Sequence, residues 1–187
     1  MDCKILKPTK FISKGATRIC FEHPYCENLC VKVVVRSKDD GILFRELRTY
    51  NEIKYELKDY LVWHENEVVD TIWGKGVVCK LLKDDSGEYS KTLNYYKNKI
   101  DREIISQLYH FAYKLVEHNI FFYDFNLNNF TIQVSNGRKK LYYTDIKSFE
   151  NYKPITFFRL EKLLTPLAKY LMLRRLYVLF RALEIDQ

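Results

Sequence analysis

FFYDFNLNN, residues 121–129, separates an amphipathic run from a pair of β-rich runs, and it carries Asp124 and Asn129 in the order D-x-x-x-x-N. Asparagine and aspartate bond readily to their own backbone, so the stretch is expected to form a structured loop. Before it, residues 100–118 carry Ile104, Leu108, Phe111, Ala112, Leu115 and Val116 at helical spacing. Asp101 and Glu103 sit where negative charge complements the helix dipole, and Asn119 is placed to cap the far end. After it, FTIQV and LYYTD flank SNGRKK, whose Asn-Gly pair marks a tight hairpin turn. A helix, a loop and a hairpin in that order bring Asp145, at the end of the second strand, back beside Asn129.

These three side chains have a chemical use together. A loop carboxylate can accept the proton of an attacking hydroxyl, while an asparagine and a second carboxylate hold the Mg²⁺ that bridges nucleotide phosphates. The expectation is kinase-type phosphoryl transfer from ATP, with Asp124 as base and Asn129 and Asp145 as metal ligands. Upstream, residues 10–35 contain β-branched and aromatic runs punctuated by Gly15, Pro24 and Asn28, which predicts two or three antiparallel strands. Lys32 lies in the run CVKVVV, on the face opposite Val31 and Val33, where a lysine can meet phosphate oxygens if a carboxylate orients it. Glu46, fourteen positions later on an amphipathic run over residues 43–58, is the expected partner. Gly15, after Ser13 and Lys14, is placed for a tight turn near those phosphates. Residues 60–63 and 76–82 also have strand character, and the polar segment KDDSGEYS, residues 83–90, marks a boundary.

The blocks GATRICFEHPYCENLCVKVVV, FRELRTYNEI, FFYDFNLNNF and YYTDIKSF, in this order, resemble the YrbL family, kinase-like proteins associated with the PhoP regulatory network. The similarity covers roughly residues 10–150. The order of elements, a sheet with one helix and then a mainly helical half with one hairpin, is α+β rather than alternating βαβ. The resemblance implies a two-lobed, protein-kinase-like fold of minimal size. Residues 1–83 would form an N-lobe of antiparallel sheet plus one helix, and residues 84–187 a mainly helical C-lobe with a catalytic hairpin. By resemblance, Gly15, Lys32 and Glu46 serve ATP, with Lys32 also catalytic; Asp124 is the base, and Asn129 and Asp145 hold Mg²⁺.

The sequence departs from protein kinases at informative places. One glycine, Gly15, stands where kinases have three, and Phe122 and Tyr123 replace the His-Arg before the catalytic aspartate. Asn126 takes the place of a lysine, and Asp145-Ile146-Lys147 stands for Asp-Phe-Gly. These substitutions keep a second reading open, a pseudokinase-like regulatory module that binds nucleotide without turnover.

The net charge of +7 favours anionic partners, which include nucleotides, nucleic acid and acidic membrane surfaces. A third reading is therefore a basic adaptor for nucleic acid or membrane, and Arg159, Lys162, Lys169, Arg174, Arg175 and Arg181 among aromatic and aliphatic neighbours would serve it. The same stretch also reads as helices that close the core, and its charges exclude a membrane span. The cysteines, Cys3, Cys20, Cys26, Cys30 and Cys79, are odd in number and follow no apolar leader, which points to a reducing cytoplasm. Cys20, His23, Cys26 and Cys30 are metal-competent side chains, but the strand-turn-strand pattern scatters them, and buried structural cysteines are the expectation. Taken singly, Asp124 and Asn129 are ordinary turn residues, Lys32 an edge-strand charge and Glu46 a helix-surface charge. Their order along the chain is what joins them.

Overall fold

A computed structural model describes residues 5–15, 17–34, 41–122, 124–146 and 161–184. Cys3, Tyr123, Lys147 and Arg159, named above, lie outside the described residues.

The chain is α+β with antiparallel sheets. β1 (Phe11–Lys14), β2 (Arg18–His23), β3 (Cys26–Val34), β4 (His64–Thr71) and β5 (Gly74–Lys80) form a five-stranded sheet in the order β1-β2-β3-β5-β4. α1 (Gly41–Ile53) is inserted between β3 and β4. The expected strands of residues 10–35 are thus three. Alternation sorts their faces: Phe21, Val31, Val33 and Val78 pack into one apolar layer with Leu6. Gly76 on β5 permits this packing, since a Cβ there would lie 3.0 Å from both the Lys32 carbonyl oxygen and Val31 Cγ1.

The second half begins with β6 (Lys91–Thr92) and α2 (Leu93–Tyr96), followed by α3 (Arg102–Glu117). A 3-10 turn (Leu127–Asn129) then leads into β7 (Phe130–Ser135) and β8 (Arg138–Tyr143), which complete a three-stranded sheet ordered β6-β7-β8. Asp101 caps α3, its side chain accepting from the Ile104 N–H at 3.0 Å. Asn119 follows the helix in the left-handed region at φ 52°, as a helix stop requires. In the hairpin, Asn136 and Gly137 have φ of 52° and 69°, the pair of positive angles that a two-residue turn between twisted strands demands. α4 (Glu161–Glu184) buries Met172, Leu176, Leu179 and Leu183 at helical spacing in the core. It is one of the two helical segments expected after β8; residues 147–160 lie outside the described residues. Among the described residues no helix is long and apolar enough to cross a membrane.

One expectation is corrected. Residues 60–63 do not form a strand: Tyr60, Leu61 and Val62 are buried because they pass between the two halves, with Leu61 bridging Tyr143 and the Tyr143 N–H donating to the Tyr60 carbonyl at 2.8 Å. The strand is β4, His64–Thr71, whose sequence HENEVVDT buries only its two ends. It lies at the end of the strand order, where Leu6 bridges Thr71 and the exposed Glu65 and Glu67 are charges of the kind that discourages further pairing.

The main core spans both halves. Tyr50, Ile53 and Leu57, at and beyond the end of α1, pack with Leu108, Phe111 and Leu115 of α3, Phe130 and Ile132 of β7, and Tyr143 of β8. The boundary segment is also pinned to the hairpin: Val134 N–H donates to Asp84 Oδ1 at 3.0 Å, and Gln133 Nε2 to the Lys83 carbonyl at 2.7 Å. A crevice is left between the two sheets.

Candidate functional site

That crevice has a volume of about 760 Å³, and Gly15, Lys32, Asp124, Asn129 and Asp145 all line it. Glu46 stands behind Lys32. Five residues scattered over 130 positions and a sixth in direct contact with one of them therefore meet at one place.

The upper wall follows from strand register. Cys20 pairs with Lys32, and Cys30 with Cys79, so these side chains share the sheet face opposite the valine layer. Arg18, two residues before Cys20, shares it too, and so does His64, paired with Cys79. Lys32 Nζ lies 3.3 Å from Glu46 Oε1 and donates to the Thr144 carbonyl at 3.3 Å, which ties β3 to the residue before Asp145. Glu46 is fully buried, contrary to the usual fate of a helix glutamate, because it collects three partners. Besides Lys32 these are the Arg18 guanidinium and His64, whose Nε2 is 3.1 Å from Glu46 Oε1.

His64 is buried, and burial pushes its pKa down to about 4. At neutral pH the ring therefore carries one N–H. Its Nδ1 lies 2.8 Å from the Val62 carbonyl, so that single hydrogen serves Val62 or Glu46 but not both. Arg18 is also held against Asp145, with Nη2 at 3.5 Å from Oδ1. Burial lowers its pKa while Asp145 opposes the shift, and a guanidinium stays charged under both. Cys30 and Cys79 bring their sulfurs to 3.3 Å. Hydrogen bonds to Cys20 and Cys79, with burial, raise the Cys30 thiol, while the bond from Cys30 and the nearby Lys32 make Cys79 the more acidic of the two.

The lower wall is held by backbone. Phe122, fully buried against Tyr143 at 4.8 Å between ring centroids, anchors the entry to the loop. The Asp124 carbonyl accepts from Asn129 Nδ2 at 3.0 Å and from the Tyr143 hydroxyl at 3.3 Å. The Asn129 carbonyl accepts from both the N–H and the hydroxyl of Thr144, at 2.8 and 3.0 Å, which aligns the loop with the end of β8. The hairpin thus returns Asp145 beside Asn129, as the sequence predicted. Asn126 is a local cap: its side chain accepts from the Asn128 N–H at 2.9 Å and it does not line the crevice.

Gly15 lies in the turn between β1 and β2, where its N–H donates to the Arg18 carbonyl at 2.8 Å. Of the cysteine and histidine group, His23 and Cys26 pair at the hairpin end, while Cys20 and Cys30 line the crevice. Cys30 and Cys79 are buried and Cys20 and Cys26 half-buried, so the expectation of buried cysteines holds in part. Among the described residues no group of three or more His, Cys, Asp or Glu is arranged to hold a metal ion.

Arg18 and His64 are the site residues that sequence reasoning missed. Alternation from Cys20 would place Arg18 on the Lys32 face once the register were known. A shift between Glu22 and His23 hides that register from counting along the turn.

No curated protein matches the chain. The sequence model of the family described as PhoP regulatory network protein YrbL matches residues 5–184, nearly the whole length. The chain belongs to that family.

Proposed function

We propose that the chain is a kinase-like protein that binds Mg·ATP in the crevice, its two sheets acting as the two lobes, and passes the γ-phosphoryl group to an acceptor hydroxyl. The observation that carries this reading is the Lys32–Glu46 pair, a strand lysine oriented by a helix carboxylate at 3.3 Å, on the wall facing Asp124, Asn129 and Asp145. Kinase-type transfer depends on such a pair.

The donor set fits magnesium. Mg²⁺ is held by one or two carboxylates together with substrate phosphates, so a cluster of three protein carboxylates is not needed. Asp145 supplies one. Asn129 turns its amide nitrogen to the Asp124 carbonyl, leaving the amide oxygen as its donor to a cation. Mg²⁺ would supply charge neutralisation of the phosphates. Lys32 would orient the phosphates, and Asp124, whose carbonyl is anchored while its side chain is exposed, would take the proton of the acceptor. As the acceptor oxygen bonds to the γ-phosphorus, the bond to the β,γ-bridging oxygen breaks and ADP leaves.

The test is thermal unfolding with and without Mg·ATP, together with transfer of labelled phosphate. Ligand at about 100 times its dissociation constant should stabilise the wild type by about 2.7 kcal/mol. Asp124→Ala should keep that shift and lose transfer by about 10²- to 10⁴-fold. Asp145→Ala should lose the magnesium-dependent shift. Absence of any shift in the wild type across a wide ATP range would sink the proposal.

A second reading, a regulatory module that binds nucleotide without turnover, is favoured by the contact of Arg18 with Asp145, the carboxylate a cation needs. A wild type that Mg·ATP stabilises, yet that transfers and hydrolyses nothing on prolonged incubation, would establish this reading over the first.

A further inference from the structure

The phosphates of a nucleotide need a grip, and the turn above the crevice supplies little of one. Glycine-rich loops hold phosphates with backbone N–H groups, but this turn has one glycine, and the Gly15 N–H is already donated to the Arg18 carbonyl at 2.8 Å. The side chain three residues later is differently placed. Arg18 shares the crevice face with Lys32, lines the cavity and is largely buried, its side chain 11% exposed.

We infer that Arg18 is the phosphate-gripping residue of this site, taking the polyphosphate of a nucleotide on the edge of its guanidinium that now contacts Asp145. The inference rests on the nucleotide reading above. Glu46 holds the Nη1 side of the group, while the contact from Nη2 to Asp145 is 3.5 Å, long beside the about 2.7–2.9 Å of a firm charge-assisted bond. That loose edge is the exchangeable one. A planar fork of N–H donors matches phosphate oxygens, and a guanidinium keeps its charge when desolvated. When phosphate takes that edge, Asp145 is released towards the cation, so nucleotide and Mg²⁺ each favour the binding of the other. The contact between Arg18 and Asp145 then holds the two charges in readiness until both ligands arrive.

The experiment is calorimetric titration of the wild type, Arg18→Gln and Arg18→Lys with ATP, adenosine and inorganic tripolyphosphate, each with and without Mg²⁺. Arg18→Gln should weaken Mg·ATP and Mg·tripolyphosphate by about 10-fold or more, the effect of losing a hydrogen bond to a charged group, and leave adenosine unchanged. Arg18→Lys keeps the charge without the fork and should show a smaller loss with the same selectivity. It also decides the matter if far-ultraviolet circular dichroism shows that the glutamine variant does not fold. Equal losses for adenosine and ATP would make Arg18 structural and overturn the inference, as would unchanged ATP binding. A wild type that binds tripolyphosphate through Arg18 but no adenine compound would keep the grip and overturn the nucleotide reading. A wild type that binds none of the three would overturn both.

Discussion

On the wall built by β2, β3, β4, β5 and α1, buried polar side chains hold one another: Glu46, fully buried, takes the charged Lys32 and Arg18, with the neutral His64 ring against it. On the wall built by the 121–129 loop and the hairpin, backbone carbonyls hold the chain, and the Asp124 side chain stays exposed. The first arrangement makes position depend on charge, because removing one partner strands the others away from water. The second makes position depend on hydrogen bonds to main-chain carbonyls, so a side chain that makes none of them, such as that of Asp124, can change with little cost to the fold. The two walls should therefore answer mutation and pH in opposite ways.

The largest effect is expected at Glu46. Glu46→Ala leaves Lys32 and Arg18, with side chains 16% and 11% exposed, without their shared carboxylate. Breaking a buried pair this way costs about 3–5 kcal/mol. Asp124→Ala, on the other wall, should stay within about 0.5 kcal/mol of the wild type, as exposed substitutions do. Urea unfolding of both variants measures the contrast directly. A Glu46→Ala protein as stable as Asp124→Ala would break it.

Next comes pH. Burial holds the His64 pKa at about 4, below its ordinary 6.5, so the unfolded ring takes up a proton that the folded ring resists. The stability this group contributes is present above pH 6.5 and is lost as pH falls towards about 4, by up to about 3 kcal/mol. His23 is lowered in the same direction by weaker burial, and it is common to both proteins when the wild type is compared with His64→Gln. The variant should show a flatter dependence of unfolding free energy over that window. An unchanged slope would remove His64 from the charge-held wall.

The two walls also differed in how much of them could be read from the sequence. Asp124, Asn129 and Asp145 lie within one helix-loop-hairpin unit, where a helix stop and an Asn-Gly turn fix local geometry, so spacing alone foretold their meeting. Lys32 and Glu46 were reachable through alternation and helical periodicity. Arg18 was not, because the register shift between Glu22 and His23 breaks the count from the β2–β3 turn. His64 was hidden at the head of an edge strand whose charged row HENE reads as loop. Phe122 illustrates a different gap: as a departure from kinases it reads as a lost catalytic feature, whereas the fold uses its ring as the core anchor of the loop. Side chains that pair across non-local strands depend on register, and a one-residue slip erases that information from a linear pattern.

The smallest effect is expected at Gly15, where a family pattern would suggest a large one. Its φ is not in the left-handed region, and an added Cβ would meet only the Arg18 carbonyl oxygen at 3.6 Å, an ordinary contact. The backbone N–H of residue 15 is committed to that same carbonyl whichever side chain it carries. Gly15→Ala should therefore change stability by no more than about 0.5 kcal/mol and leave the thermal shift with Mg·ATP near its wild-type size. If stability were kept but the shift abolished, the phosphates would have to approach this turn closely enough to exclude a methyl group, and the grip would belong to backbone rather than to Arg18. A retained shift sharpens the contrast instead: the upper wall meets its ligand, as it holds itself together, through charged side chains.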